Sequence, residues 1–156
     1  MSEALVIGVG NPWRGDDGVG PAVARLLAGT PGIQVAECGG EPAELMQCWS
    51  GYERVFLVDA LVTGAAPGSL LRLTAETPLP RPARHSSHGL GLAEAIELAR
   101  ALDALPPELV IYGIEAESLA DGTRLSPAAA SGVAELVLSI QSELHQRKDA
   151  KTQKGR

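Results

Sequence analysis

Lysine is missing from the first 147 residues of this 156-residue chain, and basic residues of any kind are scarce there. All three lysines, with Arg147 and Arg156, follow Leu144; 8 basic and 18 acidic residues precede that point, a charge near −10. Such a body repels a polyanion, so no nucleic-acid partner is expected. Long apolar runs are missing too: none approaches the roughly 20 residues that span a bilayer, so no membrane role is expected. The first residues carry an acid, Glu3, and no basic segment, which argues against a secretory signal. Cys38 and Cys48 are the only cysteines. Their spacing fits neither a metal nor a redox motif and suggests no disulfide framework, so the expected home is the reducing cytoplasm. A G-x-S-x-G nucleophile elbow is also absent, and with it the usual Ser-His-Asp logic.

What is present reads as a single domain over residues 1–144, 45% hydrophobic over the whole chain and long enough to bury a core. The charged segment 145–156 reads as a frayed or disordered, solvated tail. Apolar runs predict strands at residues 4–9, 33–37, 55–59, 69–73 and 109–114. Helical spacing links Val19, Val23, Leu26 and Leu27, with Pro21 acceptable in a first turn. A shorter helix is expected over residues 42–49. Leu92, Ala95, Ile96, Ala99 and Leu102 share one face of a third helix, and Val133, Leu136, Val137, Ile140 and Leu144 share one face of a fourth. Ser126 caps that last helix and Pro127 opens it. The order βαβαββαβα, without internal repeats, implies an α/β three-layer sandwich: a mostly parallel, five-stranded twisted sheet with helices on both faces. Only nine residues separate Asp59 from Ser69, too few for a parallel crossover. The fourth strand is therefore expected to run antiparallel, at an edge.

The stretch from Gly8 to Gly20 carries the most chemistry. A glycine-rich strand-to-helix turn commonly binds phosphate, but this one holds Asp16 and Asp17, which would repel it. Trp13 occupies the place where a dinucleotide fingerprint needs glycine. The loop is suited to a cation. Asp17 alone would read as an acid favouring a helix dipole, and Asp16 fits that reading better, or holds the loop through backbone N–H groups. Asp59 closes an apolar strand, and a buried carboxylate there needs a partner. His88 falls in the long segment 77–91 with His85, where a surface histidine is the ordinary reading. Taken together, Asp17, Asp59 and His88 can meet at the carboxyl edge of the sheet, where ligands gather in such folds.

A phospho-acceptor receiver domain has a similar acidic layout. It also needs a lysine at the end of its last strand, where this chain has Ile114-Glu115, and an antiparallel strand does not belong in it. The combination G-x-G-N-x-x-x-x-D-D-G-x-G over Gly8 to Gly20, the acidic strand end at Val55 to Ala60, and His88-Gly89-Leu90-Gly91-Leu92 instead resembles the hydrogenase maturation proteases. The Gly39-Gly40 pair and Tyr112-Gly113-Ile114-Glu115 resemble that family as well, and the likeness runs from about Ala4 to Leu144.

The resemblance implies an endopeptidase that trims the C-terminal extension of a nickel-loaded hydrogenase large-subunit precursor as a final checkpoint. It makes Asp17, Asp59 and His88 the catalytic, metal-contacting set, with Asn11 and Asp16 supporting them and Gly39 and Gly40 admitting the substrate backbone. Nickel is expected to arrive in the precursor, and zinc, cobalt or cadmium would suit the same donors. Asp17 or Asp16 could accept a proton from the attacking water. Cys38 is a core residue or, less favourably, a thiol nucleophile, and His85 is a bystander. Trp13 either packs under its loop or meets the precursor. The protein is expected to act as a monomer. Two other functions stay open: a metal-dependent hydrolase of small substrates, and a non-catalytic nickel-binding chaperone.

Overall fold

Six apolar residues in succession make β1 (Ala4–Val9), and all six are buried. A strand covered on both faces needs no alternation of apolar and polar side chains, which is the pattern of a central parallel strand. Parallel partners flank it: β2 (Ile33–Cys38) on one side and β3 (Arg54–Leu61) on the other. Next to β3 lies β5 (Glu108–Glu115), also parallel, and beyond it the antiparallel β4 (Leu70–Thr74), giving the order β2-β1-β3-β5-β4. This computed structural model describes residues 3–76 and 89–154, with side-chain surroundings for 3–76 and 92–146.

The expected architecture is the one found, with β4 at the edge and antiparallel. Eight residues connect β3 to β4, too few to carry the chain back for a parallel crossover. β3 runs two residues past Asp59, because its pairing with β5 continues through Asp59↔Gly113, Ala60↔Ile114 and Leu61↔Glu115. Asp59 thus sits within the strand instead of closing it.

Right-handed crossovers set the layers. The chain moves one way from β1 to β2 and the other way from β2 to β3, so α1 (Val19–Leu27) and α2 (Pro42–Trp49) fall on opposite faces. Helix α1 and α4 (Pro127–Lys154) cover a core of Val6, Val23, Phe56, Val58, Ile114 and Leu136. Helix α2 and α3 (Gly89–Ala101) cover the other, built on Ile7, Leu45, Trp49, Leu57, Ile96 and Ile111. Trp49 is buried and donates its indole N–H to the Ala104 carbonyl at 2.9 Å. Helix α4 continues through Lys154, so its backbone includes most of the segment set apart above as a charged tail.

One polar knot fastens α4 to the sheet. The Glu143 carboxylate accepts the Tyr112 hydroxyl at 2.8 Å, Arg72 at 3.0 and 3.2 Å, and Arg54 at 3.3 Å. Arg72 and Tyr112 are cross-strand partners, and Phe56 stacks on Tyr112 with ring centroids 6.3 Å apart. Partial burial acts to raise the Glu143 pKa, but the Arg72 and Tyr112 hydrogen bonds and the nearby arginine charges outweigh it and hold the group below its ordinary value. A lowered acid stabilises the fold above its unfolded-state pKa and loses that contribution as pH falls through the folded value. Glu143→Gln should therefore lower stability at pH 7 by about 2 kcal/mol in urea unfolding. It should also flatten the loss of stability that the wild type shows below about pH 4.5.

Candidate active site

At the carboxyl edge of the sheet, β1 gives way to a tight turn, a single-turn 3-10 helix over Gly15–Gly18 and then α1. Backbone crowding explains the glycine pattern. A Cβ on Gly10, whose φ is 138°, would lie 2.1 Å from the Asp17 carbonyl oxygen. A Cβ on Gly20 would lie 2.4 and 2.5 Å from the carbonyl oxygens of Val9 and Val58. Helix α1 thus starts against the ends of β1 and β3, and the turn folds in beneath it.

This crowding buries both Asp16 and Asp17, but they serve different neighbours. Asp17 Oδ2 accepts the Asn11 N–H at 2.8 Å, closing the loop on itself. Asp16 reaches across to the far end of the chain. Its Oδ1 accepts the Ser126 N–H at 2.7 Å; its Oδ2 accepts the Ser126 hydroxyl at 2.7 Å and the N–H groups of Glu117 and Ser118 at 2.8 and 3.2 Å. Ser126 also accepts the Ala129 N–H at 3.2 Å, the cap expected ahead of Pro127. Burial acts to raise the Asp16 pKa, yet these donors overcome it and leave the group below its usual value. Both oxygens accept hydrogen bonds, so Asp16 clamps the loop to residues 117–126.

Asp59 is fully buried, and its Oδ1 accepts the Ala60 N–H at 2.8 Å. It alternates with Val55 and Leu57, which pack in the α2/α3 core, and faces that side. The pairings Val9↔Cys38 and Gly8↔Val58 place Cys38, Val9 and Asp59 in one row across the sheet. On the other side Asp59 aligns with Gly113, where a Cβ would lie 2.1 Å from the Leu61 side chain, so the missing side chain makes room for Leu61. Gly39 and Gly40 follow β2 at the same edge, and the Gly10 N–H extends the ladder to the Cys38 carbonyl at 3.1 Å. Gly39 is exposed with open space where a Cβ would point, and Gly40 adopts a φ of 95°.

Cys38 is a poor nucleophile in this setting. Burial is the first cause raising its thiol pKa; the Gly40 N–H opposes it, and the Glu44, Cys48 and Asp59 charges add to it, giving about 11. The thiol stays protonated at neutral pH. Glu115, a strand-end acid, accepts the Thr63 N–H at 2.9 and 3.2 Å and the Thr63 hydroxyl, tying the β3–β4 connection to β5. Nothing local in the sequence marks that role, since its partner lies 52 positions away.

His88 and His85 lie outside the described residues, as does the rest of segment 77–88. Among the described residues, no group of three or more His, Cys, Asp or Glu side chains is arranged to hold a metal ion. The described part of the site consists of Asp17 and Asp59 at one edge, Asn11 and Asp16 supporting the loop, and the Gly39-Gly40 backbone beside them.

Fold and site together define an α/β sandwich with an acidic centre at the carboxyl edge of its sheet. The model of the HycI family, described as hydrogenase maturation protease, matches residues 22–143, starting just past the Gly8 to Gly20 motif. Protein FrxA of Pyrococcus furiosus is 32% identical over 136 residues, covering 83% of this chain and 98% of that protein. The hydrogenase expression/formation protein HoxM of Azotobacter vinelandii is 29% identical over 124 residues. That match covers 75% of this chain, which spans only 59% of HoxM. The solved [NiFe] hydrogenase maturation protease HybD of Thermococcus kodakarensis superimposes with a TM-score of 0.76 at 30% identity, over 91% of this chain and 98% of that one. The chain belongs to the hydrogenase maturation protease family.

Removing the Asp16 clamp tests the geometry without reference to activity. Asp16→Ala strands the Ser126, Glu117 and Ser118 donors, which should cost about 3 kcal/mol. For a chain of this size that is a melting temperature lowered by roughly 6–12 °C in calorimetry.

Proposed function

We propose that this protein is an endopeptidase that removes the C-terminal extension of a nickel-loaded hydrogenase large-subunit precursor, acting as the last check on metal insertion. The carrying observation is the pair of buried carboxylates, Asp17 and Asp59, at the sheet edge of a chain that belongs to this family. Carboxylates held away from water and set beside a glycine-lined backbone suit a hard or borderline cation delivered with a peptide.

Asp17, Asp59 and His88 are the proposed contacts to the nickel, which belongs to the precursor and is part of the substrate. Their two oxygens and one imidazole nitrogen are an incomplete shell, which favours weak binding of free metal and tight reading of metal already in place. Zinc, cobalt or cadmium would suit the same donors. Helix α3 runs toward the start of β5 at the amino-terminal edge, so its first residue, Gly89, begins at the carboxyl edge. That supports a part for His88, its chain neighbour. The nickel supplies Lewis acidity to the scissile carbonyl or to water.

The protein's own share is positioning and proton movement. Gly39, exposed with open space beside it, and Gly40 next to it are the proposed backbone against which an extended peptide lies at the end of β2. Asp17, buried at the carboxyl edge near Asp59, is the proposed proton acceptor, and Asp16 with its four donors holds the loop. Water adds its oxygen to the carbonyl carbon, the C–N bond breaks, and the proton held by Asp17 passes to the departing amine nitrogen. Cytoplasmic location and a monomeric state belong to the same proposal. Among the described residues, no helix is long and apolar enough to cross a membrane.

Intact mass of the precursor, incubated with the protein with and without nickel loading, tests this reading. The expected result is loss of a C-terminal fragment only from the nickel-loaded sample. Asp17→Asn, Asp59→Asn and His88→Ala should each slow that loss about 100-fold or more. A stable complex with unchanged mass would overturn the peptidase reading in favour of a chaperone. Tight uptake of free metal with turnover of small substrates would favour the small-molecule hydrolase.

A further inference from the structure

Five large apolar side chains are exposed among the described residues: Trp13, Leu26, Leu98, Leu102 and Leu138. Trp13 is the most exposed, at 69%, and differs from the rest in position. Leu26 and Leu98 lie in the last turns of α1 and α3, and Leu102 just past α3, toward the amino-terminal edge of the sheet, and Leu138 lies along α4. Trp13 stands at the carboxyl edge, in the loop that carries Asp17. The alternative that it packs beneath its loop is not the one found.

Exposure here does not come with a loose backbone. The Trp13 N–H donates to Asn11 Oδ1 at 2.9 Å, and its carbonyl accepts the Gly122 N–H at 2.9 Å. One residue on, the Arg14 N–H donates to the Asn11 carbonyl at 3.1 Å; next, the Gly15 N–H donates to the Gly122 carbonyl at 2.8 Å. The loop is braced from within and by residues 118–122, which Asp16 and Gly15 hold in place. An indole held in this way offers a large apolar face and one N–H donor, with little backbone entropy left to lose on contact. Asn11, which braces Trp13 through its side chain, donates its own N–H to Asp17. Trp13 and Asp17 are thus tied to the same residue, four positions apart in the chain.

We propose that Trp13 is the anchor by which the site recognises its client, burying its indole in an apolar hollow on the folded precursor beside the segment presented to Asp17 and Asp59. This rests on the peptidase reading for the identity of the partner, and on the exposure and bracing of Trp13 for the contact. Trp13 acts on binding and not on the reacting atoms, so its effect falls on KM or Kd and leaves turnover at saturating precursor in place.

Fluorine NMR of the full-length protein carrying fluorotryptophan, titrated with unlabelled nickel-loaded precursor, reads the contact directly. The chain has two tryptophans, so two resonances arise, and Trp13→Phe assigns them. The exposed Trp13 signal should shift and lose its solvent sensitivity, while that of the buried Trp49 stays in place. Trp13→Ala should weaken precursor binding about 10-fold or more with unchanged melting behaviour, since the side chain is solvated in the free protein. Processing with an unmoved Trp13 signal and an unchanged Kd would overturn the anchor and leave the peptidase reading standing. A shifted Trp13 signal in a complex that is never processed would overturn the peptidase reading and uphold the anchor. Absence of any complex would overturn both.

Discussion

Two adjacent carboxylates are buried where β1 turns into α1, and the rest of the site is arranged around that burial. Removing an acid from water is unfavourable unless hydrogen bonds or charges replace its hydration. Asp16 meets that requirement with four donors from the loop after β5 and the start of α4. In doing so it joins segments about a hundred positions apart and closes the wall of the candidate site. Asp17 is held by the neighbouring turn. The same backbone geometry thus ties one carboxylate to the far end of the chain and the other to its own turn. Substituting either glycine that permits this close approach, Gly10 or Gly20, would push the backbone apart and misplace both acids.

The sheet supplies the second half of the arrangement. β1 and β3 are neighbours, so the loop after one and the acid near the end of the other come to the same edge. Gly113 opposite Asp59 makes room for the Leu61 side chain, and after β2 Gly39 leaves open space at the same edge. Large apolar surface at the described part of this rim is confined to Trp13, and the loop that offers it is the loop that carries Asp17.

How much of this could be read beforehand depended on whether the cause was local. Helix α2 matches its expected bounds because proline at its start and apolar spacing within eight residues are enough to define it. The antiparallel β4 followed from loop length alone. The extension of β3 past Asp59 depends on pairing with β5, some fifty residues later, and no local pattern announces it. The division of labour between Asp16 and Asp17 was left open for the same reason, because Ser126 lies 110 positions from Asp16. The bond from Glu115 to Thr63 was equally hidden. Glycine spacing signalled tight packing but not which backbone atoms met. The acidic pair, Asp59 and the glycine motif were nevertheless legible as a group, because cation-suited side chains at the ends of buried strands need a reason to be there.

The central claim is that the acids of this site read a nickel ion belonging to another protein. X-ray absorption at the nickel edge, on nickel-loaded precursor frozen alone and in complex with this protein, tests it most directly. New oxygen and nitrogen scatterers should enter the nickel shell on complex formation, and should be absent when Asp17→Asn, Asp59→Asn and His88→Ala are combined. A nickel shell unchanged in a fully formed wild-type complex would contradict it.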